Sequence, residues 1–220
     1  MERFDFDTDK NWHYENGFYL TADITRIPKV IARYELYKKI THLAGHVAEF
    51  GVYKGVSFIQ WLTFREILEN QMSRKIIGFD MFGPFPKEHD LEEDKVFAAA
   101  FDEKGGLGIP VDDLNFFLER KKLYNYELIK GDITITLEKY LKENPHLRFS
   151  MIHIDTDVYE PTRVILDLMM PRMVKGGLIL FDDYGSIYGE TLAADENQLL
   201  KKYSMQKLSV CPSPTFMVLD

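Results

Sequence analysis

The chain has 220 residues, 45% of them apolar and 28% charged, with a formal net charge of -8 and a single cysteine. That length suits one large domain, residues 1–220, better than two, and the apolar share can bury a sizeable core. The acidic balance excludes the basic patch that a broad nucleic-acid footprint needs. Cys211 has no partner for an intrachain disulfide, which favours a reducing compartment. No apolar run approaches the ~20 residues that span a bilayer, and the acidic start MERFDFDTDK does not read as a signal peptide. A cytoplasmic enzyme acting on a small molecule is the expectation.

Residues 1–25 are polar and aromatic (Trp12, Tyr14, Phe18, Tyr19) and read as an N-terminal arm or lid, a surface that could also pack on a second subunit. From Ile27 the positions Val30, Ile31, Tyr34, Tyr37 and Ile40 fall at helical spacing, and Gly45 ends the pattern. HVAEFG (His46 to Gly51) reads as a buried strand, VYKGVS as a turn, Phe58 to Leu68 as a helix and KIIGFD (Lys75 to Asp80) as a second strand. This order is one βαβ unit with parallel strands.

Residues 81–124 are the least regular stretch. Helical pieces around Lys95 to Phe101 and Val111 to Lys122 flank a glycine-rich break, and the stretch reads as an insertion on the acceptor side. The alternation then resumes with strands at Tyr126 to Lys130, Arg148 to Asp155 and Gly177 to Asp182. Helices fall at Thr134 to Lys142, from near Glu160 with Pro161 in the first turn and Pro171 as a stop, and at Glu190 to Tyr203. Two short strands around CPSP close the chain. The sum is a doubly wound, mostly parallel, seven-stranded α/β sheet: five strands alternating with helices plus a terminal hairpin.

Such a sheet binds ligands beyond the carboxyl ends of its strands. After the first strand, Gly51 and Gly55 allow the backbone to turn tightly beside a ligand. The second strand ends in Asp80, an acid placed to accept ribose hydroxyls, although the glycine spacing is not GxGxxG. The third ends at Asp132, which either caps the next helix or sits against an adenine. The fourth and fifth end in Asp155-Thr156-Asp157 and Asp182-Asp183. Like charges gathered at one crevice call for a cation, and all-oxygen ligation suits Mg²⁺, Mn²⁺ or Ca²⁺ rather than zinc. His153 reads as a core residue and Cys211 as inert.

The segments EFGVYKGVS, IIGFDMFGPFP, HIDTDVYEPT, GGLILFDDYG and GETLAADE resemble, in order and spacing, the macrocin O-methyltransferase (TylF-like) family. These are class I, Rossmann-like enzymes that methylate sugar hydroxyls with S-adenosylmethionine. The resemblance implies that Glu49, Gly51, Tyr53, Gly55 and Ser57 hold the methionine part of the donor and Asp80 its ribose. It also implies that Asp155, Asp182 and Asp183 bind Mg²⁺ or Mn²⁺. Asp183 stands where related metal-dependent enzymes often carry Asn, and their lysine base has no match here.

The expected reaction is methyl transfer to a hydroxyl of a sugar acceptor, nucleotide-linked, on a glycan or on a natural product. Asp155 or Asp157 is the expected base. The rival readings are a metal-dependent glycosyltransferase using Asp155-Thr156-Asp157 as a DxD motif, and a non-catalytic binding module. A nicotinamide oxidoreductase is weakened by the glycine spacing.

Overall fold

A computed structural model of the chain describes residues 2–87 and 89–220. A two-stranded ribbon, β1 (Glu2–Arg3) and β2 (Phe6–Asp7), leads into helices α1 (Asn11–Thr21) and α2 (Arg26–Lys38). Then follow β3 (His46–Phe50), α3 (Val56–Leu68), β4 (Ile76–Asp80), α4 (Glu92–Lys104), α5 (Val111–Arg120) and β5 (Tyr126–Lys130). The rest is α6 (Ile133–Glu143), β6 (Phe149–Ile154), α7 (Tyr159–Met169), β7 (Met173–Phe181), α8 (Tyr188–Glu196) and β8 (Thr215–Leu219).

The main sheet has the order β5-β4-β3-β6-β7-β8, with β3 to β7 parallel and β8 antiparallel to β7. The order reverses between β3 and β6, and a doubly wound sheet opens its ligand crevice at that point. Alternate residues serve the two faces. Val47, Met151, Leu178 and Leu180 pack with α2, α3 and α5. Ala48, Phe50, Ile152, Ile154, Ile179 and Phe181 pack with α6 and α7. Because both faces are covered, the strands read as near-continuous apolar runs.

Two expectations are corrected. Among the described residues the sheet has six strands, not seven. The segment before β8 makes only the bridge Gln206–Phe216, because Pro212 and Pro214 remove the N–H groups a ladder needs. The last helix stops at Glu196, not Tyr203: Asn197 is extended and its Oδ1 accepts from the Leu199 N–H, a local turn that competes with the helix. In the N-terminal segment, read as an arm or lid, α1 forms with none of its residues buried. Pro171 does stop α7, in a single 3-10 turn. Among the described residues, no helix is long and apolar enough to cross a membrane.

Candidate active site

A cavity of about 320 Å³ opens at the carboxyl ends of the parallel strands. Its floor includes Gly51, Asp80, Asp132, Asp155 and Asp157, and its roof comes from the stretch after β4. There Phe85 and Phe101 lie with ring centroids 5.0 Å apart, and Tyr53 meets Phe101 edge-on at 5.2 Å. The Tyr53 hydroxyl donates to the Gly105 carbonyl, and the Ile109 N–H donates to the Tyr53 carbonyl at 2.7 Å. These bonds tie the roof to the turn after β3.

That turn is built for close approach. Gly51 has φ +88, and a Cβ there would fall 1.8 Å from the Asp155 carbonyl oxygen, so only glycine fits. Asp80 holds the turn in place: its Oδ2 accepts from the N–H groups of Val52 (2.7 Å) and Tyr53 (2.9 Å), and its Oδ1 from Phe82 (2.5 Å). A carboxylate has about four acceptor sites, so roughly one remains for a ligand hydroxyl. Burial pushes the Asp80 carboxyl up, against the pull of those three N–H groups. Asp132 lines the cavity while its side chain caps α6, accepting from the Thr134 N–H at 2.8 Å and the Thr134 hydroxyl at 2.7 Å.

Not every expected residue reaches the cavity. Strand alternation turns Glu49 to the α3 face, where it is fully buried. Its Oε1 meets His153 Nδ1 at 2.9 Å and accepts from Trp61 Nε1 at 3.3 Å. Ser57 is buried in the first turn of α3, and Gly55, at φ +81, leads into that helix against Leu114. Gly51 and Tyr53 are the members of this turn that line the cavity.

The acids at the ends of β6 and β7 divide into two groups. Asp182 shares the strand face of Leu178 and Leu180, toward α2. There it receives Lys29 Nζ at 2.5 Å on Oδ2, and on Oδ1 Arg33 Nη2 at 3.1 Å and His153 Nε2 at 3.3 Å. Burial pushes the Asp182 carboxyl up, but the His153 hydrogen bond and the charges of Arg33, His153 and Lys29 hold it far below the ordinary range. For His153 burial acts downward, yet its bonds to Asp182 and Glu49 carry it up to about 9. The row Glu49–His153–Asp182–Arg33/Lys29 thus alternates in charge, with Glu49 Oε2 and Arg33 Nε left buried without a hydrogen-bond partner. Sequence reading missed Lys29 and Arg33, which arrive from a helix some 150 residues upstream; their i, i+4 spacing was the available signal.

Asp155, Asp157 and Asp183 form the second group, with one carboxylate oxygen from each inside a sphere of mutual distances up to 4.8 Å. Among the described residues, no lysine or arginine pairs with any of the three. Burial, and then the charges of the neighbouring acids, pushes all three carboxyls above the ordinary range. His153, Asp155 and Asp182 also fall within 4.8 Å of one another, but two of those three belong to the paired row. The trio fits a hard divalent cation: three carboxylate oxygens lie within reach of one another and no lysine or arginine bonds to them, although His153 stands beside Asp155.

A protein-family model described as a methyltransferase domain matches residues 48–184, more than half of the chain. The chain therefore belongs to this methyltransferase domain family. It is 27% identical over 150 residues to the 8-demethyl-8-(2,3-dimethoxy-alpha-L-rhamnosyl)-tetracenomycin-C 4'-O-methyltransferase of Streptomyces olivaceus, a match covering 64% of this chain and 53% of that protein. The chain thus matches about half the length of that relative. Among solved structures, it is similar to the calicheamicin methyltransferase CalS11 (TM-score 0.79, 24% identity, 97% of this chain and 86% of that one). It is also similar to the O-methyltransferase NovP (TM-score 0.70, 17% identity, 87% and 79%). These likenesses are of fold, and the fold is the class I, Rossmann-like one. The family is one of methyltransferase domains, and the fold agrees with it.

Proposed function

We propose that the chain is a metal-assisted O-methyltransferase that moves a methyl group from S-adenosylmethionine to a sugar hydroxyl. The observation that carries the reading is the trio Asp155, Asp157 and Asp183, three partly buried carboxylates without a lysine or arginine partner, of which Asp155 and Asp157 line a cavity shared with the Gly51 turn. Support for a sugar acceptor comes from the Streptomyces relative, whose name places its chemistry on a rhamnosylated tetracenomycin. A deoxysugar on a natural product or glycan, or one that is nucleotide-linked, is the acceptor class.

When bound, S-adenosylmethionine supplies an activated sulfonium methyl, and a divalent cation on the trio supplies Lewis-acid polarisation of the acceptor hydroxyl. The chain's own residues do the rest. Gly51 lets the turn after β3 press against the Asp155 backbone at the cavity floor, Asp80 offers its remaining acceptor site, and Asp132 lines the floor beneath the α6 cap. Asp155 and Asp157 line the cavity and are placed to take the acceptor's proton at a carboxylate oxygen. The aromatic roof of Phe85 and Phe101 excludes water over the floor. Asp182 keeps the charge of Lys29, Arg33 and His153 away from the trio, a different role from the ligand expected of it.

The test is a mass assay on a panel of deoxysugar acceptors with S-adenosylmethionine and Mg²⁺, alongside a thermal-shift comparison. We expect a mass gain of one methyl, its loss with EDTA, and stabilisation by S-adenosylhomocysteine. Stabilisation by UDP or GDP with Mn²⁺, and none by S-adenosylhomocysteine, would favour the glycosyltransferase. Full activity in EDTA would remove the cation from the mechanism.

A further inference from the structure

Glu190 is fully buried in the first turn of α8 and has no place in the chemistry above. Its main-chain N–H donates to the Asp157 carbonyl at 3.1 Å. Its side-chain Oε1 accepts the main-chain N–H of Asp183 at 2.9 Å. One residue therefore holds the turn after β6 with its backbone and the turn after β7 with its carboxylate. The other oxygen, Oε2, is buried with no hydrogen-bond partner, so this carboxylate is not there to stabilise the fold by itself.

The approach that makes this possible depends on the preceding residue. A Cβ on Gly189 would lie 2.6 Å from the Tyr159 nitrogen and 2.2 Å from Asp94 Oδ1. Asp94, on α4, accepts the Tyr159 N–H at 2.8 Å. The Gly189-Glu190 pair thus sits where α4, α7 and α8 converge, directly behind the two acid-bearing turns.

We propose that Glu190 is a positioning residue for the cation site: it sets the distance between the Asp157 and Asp183 turns by the reach of its side chain, rather than by its charge. The proposal rests on the cation reading of the trio. Groups that orient metal ligands from behind typically matter about 10–100-fold in metal affinity.

Reach and charge are separated by two substitutions. Glu190→Gln keeps an oxygen at the same distance and cannot ionise; Glu190→Asp keeps an ionisable carboxyl and falls one methylene short of the Asp183 N–H. Binding of Mn²⁺ followed by its electron paramagnetic resonance signal, and binding of S-adenosylhomocysteine by calorimetry, are read on the whole chain. We expect Glu190→Gln to bind Mn²⁺ within about threefold of wild type, and Glu190→Asp to bind it about 10–100-fold more weakly. Donor-product affinity should stay within about twofold in both variants, since neither turn bond touches Gly51.

The reverse order, with Gln the weaker variant, would assign the effect to charge and overturn the proposal. Unchanged Mn²⁺ binding in Glu190→Asp, or a parallel loss of donor product, would overturn it as well. A wild-type chain that binds no Mn²⁺ would instead remove the cation reading itself, an outcome distinct from all of these.

Discussion

Two groups of acids lie side by side at the ends of β6 and β7, and they have opposite electrostatic fates. In the row through Glu49, His153 and Asp182, each carboxylate faces a cation that the fold supplies. In the trio of Asp155, Asp157 and Asp183, the fold supplies none among the described residues. The contrast is sharpest between Asp182 and Asp183, adjacent in the chain: Asp182 meets the cations of α2, whereas Asp183 joins Asp155 and Asp157. An internally paired acid holds structure together. An unpaired cluster is a standing cost that only a function, or a bound cation, offsets.

The largest test of this division is Asp157→Asn. Asp157 has φ +65, a conformation asparagine tolerates, so the backbone of the turn survives the change. We expect turnover on a sugar acceptor to fall about 10²–10⁴-fold, with S-adenosylhomocysteine binding little changed. At pH above about 9 the same variant should melt at a higher temperature than wild type when both are metal-free, because there Asp157 would add a charge that its neighbours repel. A lower melting temperature, or normal turnover, would place Asp157 in the paired group.

Asp182→Ala should behave in the opposite way. It strands Arg33 and His153 in the interior and leaves Lys29 without its partner. Breaking such a buried network from one side costs about 3–5 kcal/mol. Chemical denaturation should show the loss with or without cation. Unaltered stability, together with lost Mn²⁺ binding, would return Asp182 to the ligand role that the family resemblance implies.

The pH dependence separates the groups by sign. Asp155 and Asp157 are raised in the folded state, so the fold binds protons that the unfolded chain releases. Their contribution is greatest in acid and is lost as pH climbs from the ordinary carboxylate range through about 8 for Asp155 and about 9 for Asp157. His153, raised to about 9, contributes fully below its ordinary 6.5 and loses that contribution as pH passes through about 9. Asp182 is depressed and contributes at all pH values above the ordinary carboxylate range. The metal-free chain should therefore lose stability between about pH 6 and pH 9, and saturating Mg²⁺ should remove the acid share while leaving the histidine share. A melting temperature flat across that range without metal would contradict the unpaired state of the trio.

How much of this was legible in the sequence follows from where each signal resides. The five parallel strands are apolar runs ending in acids, and local pattern suffices to see them. Helix α1 was invisible because none of its residues is buried, so it carries no apolar stripe to read. The terminal hairpin shrank to one strand because its prolines outweigh its apolar residues. That the strand ends were acidic was plain; which acids were free was not. The partners of Asp182 come from α2 and from β6, and a contact across some 150 residues leaves no local trace. Parity did leave one: Leu178, Leu180 and Asp182 occupy alternate positions on a strand, so Asp182 and Asp183 had to diverge. Glu49 diverges from the glycine turn for the same reason, since it shares its parity with Val47.

A third kind of acid gives the smallest expected effect. Asp132 lines the cavity, but its partner is the first turn of a helix: it accepts from the Thr134 N–H and hydroxyl, and α6 begins at Ile133. Such a cap is worth about 1 kcal/mol. Asp132→Ala should cost that much in stability and Asp132→Asn much less, because the amide oxygen can still accept. Neither change should alter Mn²⁺ affinity, since Asp132 belongs to neither acid group at the ends of β6 and β7. Donor-product affinity then decides what the side chain does besides capping. If Asp132→Asn matches wild type while Asp132→Ala weakens S-adenosylhomocysteine only as far as the frayed helix end permits, the residue shapes the floor through the helix it starts. A loss of donor product in Asp132→Asn, with the cap intact, would show its charge acting directly on the ligand.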